Sequence, residues 1–432
     1  MKKSILGSLF NKFGLFRLAS KINSPKITAI IFFLTCSIVK SKKRNAPTMI
    51  YIHKGIGIDD IKAMAQYSNE INYIIIQSSF LREIFKYFFG ATIYSNKNLH
   101  TDYHYDKNLF PVDKKNQYRN FISDTFIFFE RLIKYDGFIC SNYVYGYLQE
   151  LSMFAKHKEK IYVVLYKEGL VSKKFVDRFI QRYTNKKFIG DVFLTYNNFI
   201  KNAFIKSNID GFTSNNVSTV GIPRLDFYKD LKTSEENIVL FSFYPEDKFS
   251  YLENESFFNS NFKNQIEKIS IDFHAYVIEY ANKNLKKKLI IKTKFPKKYS
   301  DYIYKIIKQK NLTISDNISI TNIQNPISLI QNASVVLGYN STTLIESLLL
   351  DKKIITPNFY NVIPEENNID YFLEYKDLAK VASNYNELSS FLSSDFCLDP
   401  ILAKQFLEDY ISYNNFQSSQ NAEKTIIRYI SR

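Results

Sequence analysis

The sequence predicts an α/β fold made of two doubly wound units. Three observations predict it. Short, almost wholly apolar runs alternate with helix-period stretches along most of the chain, as buried parallel strands and their crossover helices do. A charged, polar stretch at 230–237 interrupts that alternation, and a second alternation begins directly after it. The chain has 432 residues and 45% hydrophobic content, enough for two separate cores.

In the first unit, strands are expected at 49–52, 73–76, 138–140, 162–165, 192–195 and 218–220. Helices are expected at 59–67 and 81–89, and the polar, aromatic stretch 96–120 reads as a long loop. In the second unit, strands are expected at 238–241, 289–292, 312–314, 335–337 and 354–355, with helices at 262–285 and 299–308. The domain reading is a basic and apolar N-terminal segment at 1–45, a first domain at 46–230, a second at 237–395 and a helical tail at 396–432.

Residues 1–22 carry Lys2, Lys3, Lys12, Arg17 and Lys21 and no acidic residue. Ile5, Leu6, Leu9, Phe10, Phe13, Phe16 and Leu18 mostly recur at helical steps, although Gly7 and Gly14 weaken a helix there. The apolar run 27–39 is short for a membrane span, and Lys40, Lys42, Lys43 and Arg44 follow it. No small-residue cleavage site precedes that cluster, which argues against a signal peptide. The segment fits a peripheral membrane contact, and it fits equally a strand or helix packed on the first unit. The three cysteines, Cys36, Cys140 and Cys397, are widely spaced and form no framework, which suits a reducing compartment such as the cytoplasm.

The formal net charge of +16 suits nucleic acid, an anionic membrane face or an anionic substrate. No RNA-recognition, zinc-knuckle or helix-turn-helix pattern is present, so nucleic acid is not the expected partner. The chain is also rich in Lys, Asn, Ile, Phe and Tyr and lacks Trp, a bias that an AT-rich genome can produce and that would account for part of the basicity without a functional cause.

The richest stretch for chemistry runs from Val335 to Glu346. An apolar run stops at Gly338, small polar residues follow, and a helical pattern begins at Leu344. Such a strand–turn–helix offers unpaired N–H groups to an anion. Ser341, Thr342 and Thr343 add hydroxyls where a phosphate would sit, and Glu346 stands where it can accept from a ribose. The same pattern also describes an ordinary capped βαβ unit. Gly221-Ile222-Pro223-Arg224-Leu225-Asp226 closes the first unit with a rigid turn. Arg224 there suits phosphate geometry, or pairs with Asp226 to hold the hinge.

Together with Ile291-Lys292-Thr293-Lys294-Phe295-Pro296, these elements resemble the bacterial surface-carbohydrate proteins of the GT-B fold. The resemblance is to capsule-type glycosyltransferases and the related CDP-glycerol glycerophosphotransferases, and it covers roughly residues 162–360. It implies two Rossmann-like domains facing a central cleft, with the donor nucleotide held by the second. Within the Asn340-Ser341-Thr342…Glu346 element, Ser341 and Thr342 would take the donor phosphates and Glu346 the ribose. Relatives often carry a His-Pro pair after the Lys-bearing strand. This chain has no His there, which counts against a glycerophosphotransferase. Lys292 and Lys294 can instead neutralise the leaving phosphate.

An acceptor base is sought in the first unit. Glu168, in Tyr166-Lys167-Glu168-Gly169, follows a strand; it is either a base or an N-terminal helix charge. His53 and Asp59 flank the glycine loop His53-Lys54-Gly55-Ile56-Gly57, which lacks a third glycine at the dinucleotide spacing because Asp60 stands there. His100, Asp102, His104 and Asp106 alternate as metal ligands can, but no second cluster completes a site, so neither a metal nor another cofactor is expected.

The sequence thus points to a GT-B glycosyltransferase of surface-polysaccharide assembly. Its expected partners are a nucleotide-activated donor, a glycan or glycolipid acceptor and an anionic membrane surface, at the inner face of the plasma membrane. The alternatives are glycerol-phosphate transfer on the same scaffold, an epimerase on the same fold, and a non-catalytic scaffold or binding subunit of an assembly complex.

Overall fold

The computed structural model describes residues 24–53, 57–90, 110–168, 170–184, 186–412 and 415–431. The alternating His/Asp stretch at 100–106 and the basic segment at 1–22 lie outside the described residues.

Mostly apolar runs of three to six residues form the strands. They are β1 (Ser37–Val39), β2 (Thr48–His53), β3 (Asn72–Gln77), β4 (Gly137–Cys140), β5 (Ile161–Leu165), β6 (Val192–Thr195) and β7 (Val217–Thr219) in a first sheet. A second sheet holds β8 (Asn237–Phe241), β9 (Lys288–Lys292), β10 (Ile318–Thr321), β11 (Ala333–Gly338), β12 (Lys353–Pro357) and β13 (Lys380–Ala382). The first sheet runs in the order β1-β3-β2-β4-β5-β6-β7 and the second β10-β9-β8-β11-β12-β13. All pairs are parallel except β1 with β3. Parallel neighbours need long crossovers, and helices supply them.

In the first part of the chain these helices are α1 (Pro25–Thr35), α2 (Ile58–Ala63), α3 (Ser78–Phe89), α4 (Val112–Leu132), α5 (Gly146–His157), α6 (Val176–Gln181) and α7 (Asn198–Lys206). The second part has α8 (Pro245–Phe249), α9 (Ser260–Lys283), α10 (Lys297–Gln309), α11 (Pro326–Gln331), α12 (Thr342–Leu348) and α13 (Tyr385–Ser393), followed by α14 (Pro400–Ile411) and α15 (Ser418–Ile430). The chain divides into two compact units. One comprises described residues within Met1–Gly169, Asp177–Phe227 and Tyr410–Arg432; the other comprises Leu170–Val176 and Tyr228–Asp409. Residues near 234 pack within the second unit, where Ser234 bonds Asn332 and Gln331.

Three expectations need correction. Residues 112–120 are not loop but the first turns of α4, whose buried face is Tyr118, Phe121, Ile122, Thr125, Phe126 and Phe129. The segment 312–314 is not a strand. Leu312 closes α10 with an N–H bond to the Ile307 carbonyl after left-handed Asn311, and Ile314 is exposed. The strand lies a few residues on, at Ile318–Thr321. Finally, Arg224 does not pair with Asp226 as the hinge reading allowed.

Asp226 is fully buried and accepts the N–H groups of Ser418 at 3.3 Å and Ser419 at 2.7 Å. It therefore caps α15, so the Gly-Ile-Pro-Arg-Leu-Asp turn fastens the C-terminal helix to the first unit. Gly221 sits at φ +80° beneath that junction, and a Cβ there would lie 2.4 Å from the Ser418 hydroxyl. Further along α15, Glu423 accepts from the Tyr73 hydroxyl and from the Glu70 N–H, and burial pushes its carboxyl up to about 7. Asp226→Ala would leave two buried N–H groups unanswered. Urea unfolding should show a loss on the order of 2 kcal/mol or more, whereas Asp230→Ala, in an exposed position, should be near neutral.

Candidate functional site

In the second unit, β8 is the first strand. β9 and β10 are laid down on one side of it and β11, β12 and β13 on the other. The order reverses between β8 and β11, and the loops leaving their carboxyl ends diverge there, the usual place for a ligand in such sheets. In register, Phe241 stands beside Lys292 of β9 and Gly338 of β11. A Cβ on Gly338 would come within 3.1 Å of the Phe241 carbonyl, so the strands close tightly just below the gap.

A cavity of about 160 Å³ opens at that gap. Lys248, Lys292, Lys294, Ser242, Ser341 and Thr343 line it together with Phe241, Phe243 and Tyr339. Lys248 comes from α8, which Pro245 starts after β8. Its ammonium donates to the Asn340 carbonyl at 2.7 Å. Burial, then the nearby Lys294 charge, pushes Lys248 down to about 8, with Asp247 acting the other way. Lys292 donates to the carbonyls of Thr293 at 2.6 Å and Asn322 at 3.1 Å, and burial lowers its pKa. Lys294 is exposed, 3.9 Å from Asp247 and over the Tyr299 ring.

Asn340 is turned into the left-handed region at φ +44°, a conformation Asn tolerates. It is buried, and its side-chain oxygen has no hydrogen-bond partner. Ser341 is the N-cap of α12: its Oγ accepts from the Thr343 N–H at 3.4 Å and lies 2.8 Å from the Thr343 hydroxyl. Thr342 is half-buried in the first turn of that helix. Glu346 is buried one turn on and accepts from the Tyr228 hydroxyl at 2.9 Å, outside the cavity lining. Buried His274 stands behind the cavity. Its Nδ1 must donate to the Ser270 carbonyl at 2.7 Å, so Nε2 accepts from the Ser242 hydroxyl at 3.2 Å. Burial lowers its pKa to about 4, and the neutral ring thus fixes how Ser242 is presented.

In the first unit, Gly57, Ser141 and Lys167, which follow β2, β4 and β5, come together at the carboxyl edge of the sheet. A Cβ on Gly57 would be 3.8 Å from both Ser141 and the Lys167 side chain. Glu168 is exposed there and accepts from the Asn142 amide at 3.4 Å. Asp59, also exposed, pairs with Lys62 on its own helix at 2.8 Å. His53 ends β2 at the same edge. Arg224 belongs to this unit. Its backbone N–H and its guanidinium face the Asp60 carboxylate, at 3.1 Å and 3.5 Å, and it donates to the Tyr196 hydroxyl at 3.3 Å.

The structure thus brings Lys292, Lys294 and Ser341 to one cavity, with Asn340 next to Ser341 in the chain; Glu168, Asp59 and the backbone of His53 follow or end strands at the carboxyl edge of the first sheet. Sequence reasoning missed Lys248, Ser242, Thr293 and Asp60. A proline opening a helix just after the unit's first strand was the available signal for Lys248. Asp60 was noticed only as a missing glycine. Among the described residues no group of three metal-ligating side chains converges, and no helix is long and apolar enough to cross a membrane.

No protein-family model matches the chain, and no curated protein matches its sequence. Solved structures do match its shape. A putative UDP-N-acetylglucosamine 2-epimerase from Listeria monocytogenes aligns over 90% of this chain and 97% of its own, at 8% identity and a TM-score of 0.53. A second UDP-N-acetylglucosamine 2-epimerase aligns over 90% and 97%, at 11% identity and a TM-score of 0.51. The wall teichoic acid polymerase TagF, soaked with CDPG, aligns over 98% of both chains at 11% identity and a TM-score of 0.48. At these identities the likeness to the two epimerase structures is one of fold. With its two parallel sheets, each flanked by helices, the chain has the GT-B fold of two Rossmann-like α/β units.

Proposed function

We propose that the chain is a glycosyltransferase that moves a sugar from a nucleotide-activated donor to a surface-polysaccharide acceptor of capsule or LPS type, glycan or glycolipid. The observation that carries this reading is the gathering of Lys248, Lys292 and Lys294 with Ser242, Ser341 and Thr343 round one cavity where the strand order reverses. At about 160 Å³ it is smaller than the ~300–1,000 Å³ of whole-ligand sites, a size suited to phosphoryl groups rather than to a complete nucleotide sugar. A nucleoside diphosphate leaves with negative charge, and fixed cations in a partly dry pocket stabilise that charge more than water does.

In this reading Ser341 and Thr342 hold the donor phosphates, Asn340 shapes the turn, Glu346 takes the ribose and Arg224 adds a further cation. A base of the first unit, Glu168 before His53 or Asp59, takes the proton from the acceptor hydroxyl. The oxygen then bonds to the anomeric carbon, and the bond from that carbon to the donor phosphate breaks. Glu168 is preferred because it is exposed beside Asn142, whereas Asp59 is engaged with Lys62. The enzyme would work in the cytoplasm at the inner membrane face, where nucleotide donors meet lipid-linked glycans.

Thermal-shift measurements with CMP, CDP, UDP and GDP test the donor site. One nucleotide should stabilise the wild type and fail to stabilise Ser341→Ala/Glu346→Ala. No shift with any of them, on folded protein, would move the assignment to a non-catalytic scaffold. Affinity for the effective nucleotide should fall as pH rises through about 8, where Lys248 loses its charge, and Lys248→Met should lower affinity by roughly tenfold and abolish that pH step. Turnover should require an acceptor and drop on the order of 10²-fold or more in Glu168→Gln. Sugar release without acceptor would indicate an epimerase, and preference for CDP-glycerol a glycerophosphotransferase.

A further inference from the structure

Helix α1 has the sequence Pro-Lys-Ile-Thr-Ala-Ile-Ile-Phe-Phe-Leu-Thr and is apolar on every side. One side is used: Thr28, Ala29 and Phe32 are buried, and the Phe32 ring packs on Phe80, Phe126 and Phe129 at 5.4, 5.8 and 6.4 Å. The opposite side carries Ile27, Ile30, Phe33 and Leu34, each between 40% and 44% exposed. Ile38 on edge strand β1 extends the patch at 45%. The helix offers water almost nothing in return. Both threonine hydroxyls turn back onto its own backbone, Thr28 to the Ser24 carbonyl at 3.0 Å and Thr35 to the Ile31 carbonyl at 2.6 Å. Helices that are hydrophobic all round are normally covered on all sides, and a contiguous exposed apolar face marks an interaction site.

Charge identifies the cover. Lys26 opens the helix, and Lys40, Lys42, Lys43 and Arg44, all exposed, follow β1 directly. Lys43 is engaged by Glu70. Arg131 and one acid, Asp124, line the groove beside the start of the helix. In sequence, residues 1–22 add Lys2, Lys3, Lys12, Arg17 and Lys21 and no acid. An apolar strip edged by cations matches an anionic bilayer surface, with side chains in the acyl boundary and ammonium groups among the headgroups. Eleven residues fall far short of the ~20 needed to span, so the helix lies along the surface.

We propose that the outer face of α1, with the basic run after β1, is the surface by which this protein docks on an anionic membrane. The proposal rests on the membrane-linked acceptor of the preceding reading and names the face that meets the lipid.

The test is sedimentation of the purified full chain with phosphatidylcholine vesicles, with and without phosphatidylglycerol. Two variants run beside it, Ile27→Ser/Ile30→Ser/Leu34→Ser and Lys40→Gln/Lys42→Gln/Arg44→Gln. The wild type should bind only the anionic vesicles, less so at high salt. Each variant should bind at least about tenfold more weakly with its melting temperature kept. Wild-type failure to bind, or undiminished binding by the glutamine variant, overturns the proposal. So does a wild-type dimer, seen by light scattering, that the serine variant converts to monomer. The nucleotide-induced shift, read on the same samples, reports the donor site independently. Vesicle binding without a shift defeats the transferase reading and keeps the docking face, and a shift without vesicle binding does the reverse.

Discussion

The ammonium of Lys248 is enclosed where a parallel sheet changes direction, and the candidate site in the second unit is organised round it. Strand order reverses between β8 and β11, so the loops leaving them would separate. Lys248, on the β8 side, donates to the carbonyl of Asn340, on the β11 side. Asn340 is left-handed at that point, and the same turn delivers Ser341 as the cap of α12. A cation is thus held where an anion would complete it, and desolvation is the leading cause of its lowered pKa. Ser242 is the other fixed point, held by a histidine too deeply buried to carry a charge near neutral pH.

The first unit solves the same problem with the opposite sign. Its strand order reverses between β2 and β4, and its buried carboxyl, Asp60, lies on the helix that follows β2. Asp60 gathers the Arg224 N–H, its guanidinium and the Tyr196 hydroxyl, which ties α2 to the turn after β7. The exposed groups nearby, Glu168 and Asp59, are then free of structural duty to this network. A buried carboxylate with such partners is costly to break from one side. This is why Arg224 serves the first unit's framework.

Much of this was legible in the sequence because parallel strands buried on both faces read as unbroken apolar runs. Ile238–Phe241 and Ile161–Leu165 are examples, and a helix such as α10, whose buried Tyr299, Tyr302, Ile303 and Ile306 recur at three- and four-residue steps, is read as easily. Misreadings came where composition and period disagree. Leu312 and Ile314 look like strand residues, yet left-handed Asn311 sends that segment into a helix stop. Residues 112–120 are polar because most of that face of α4 meets solvent, and only Tyr118 betrays its buried side. The motif residues Lys292, Lys294 and Ser341 were found because they sit at strand ends. Lys248 and Asp60 were not, because their importance comes from partners more than ninety residues away in the chain.

The most direct test of the account is a crystal structure with the nucleoside diphosphate that stabilises the protein most. The account predicts its phosphates in the cavity at the β8–β11 reversal, within hydrogen-bond reach of the Lys248 ammonium and the Ser341 hydroxyl, with the ribose toward Glu346. A nucleotide bound elsewhere, with Lys248 still donating only to the Asn340 carbonyl, would contradict it.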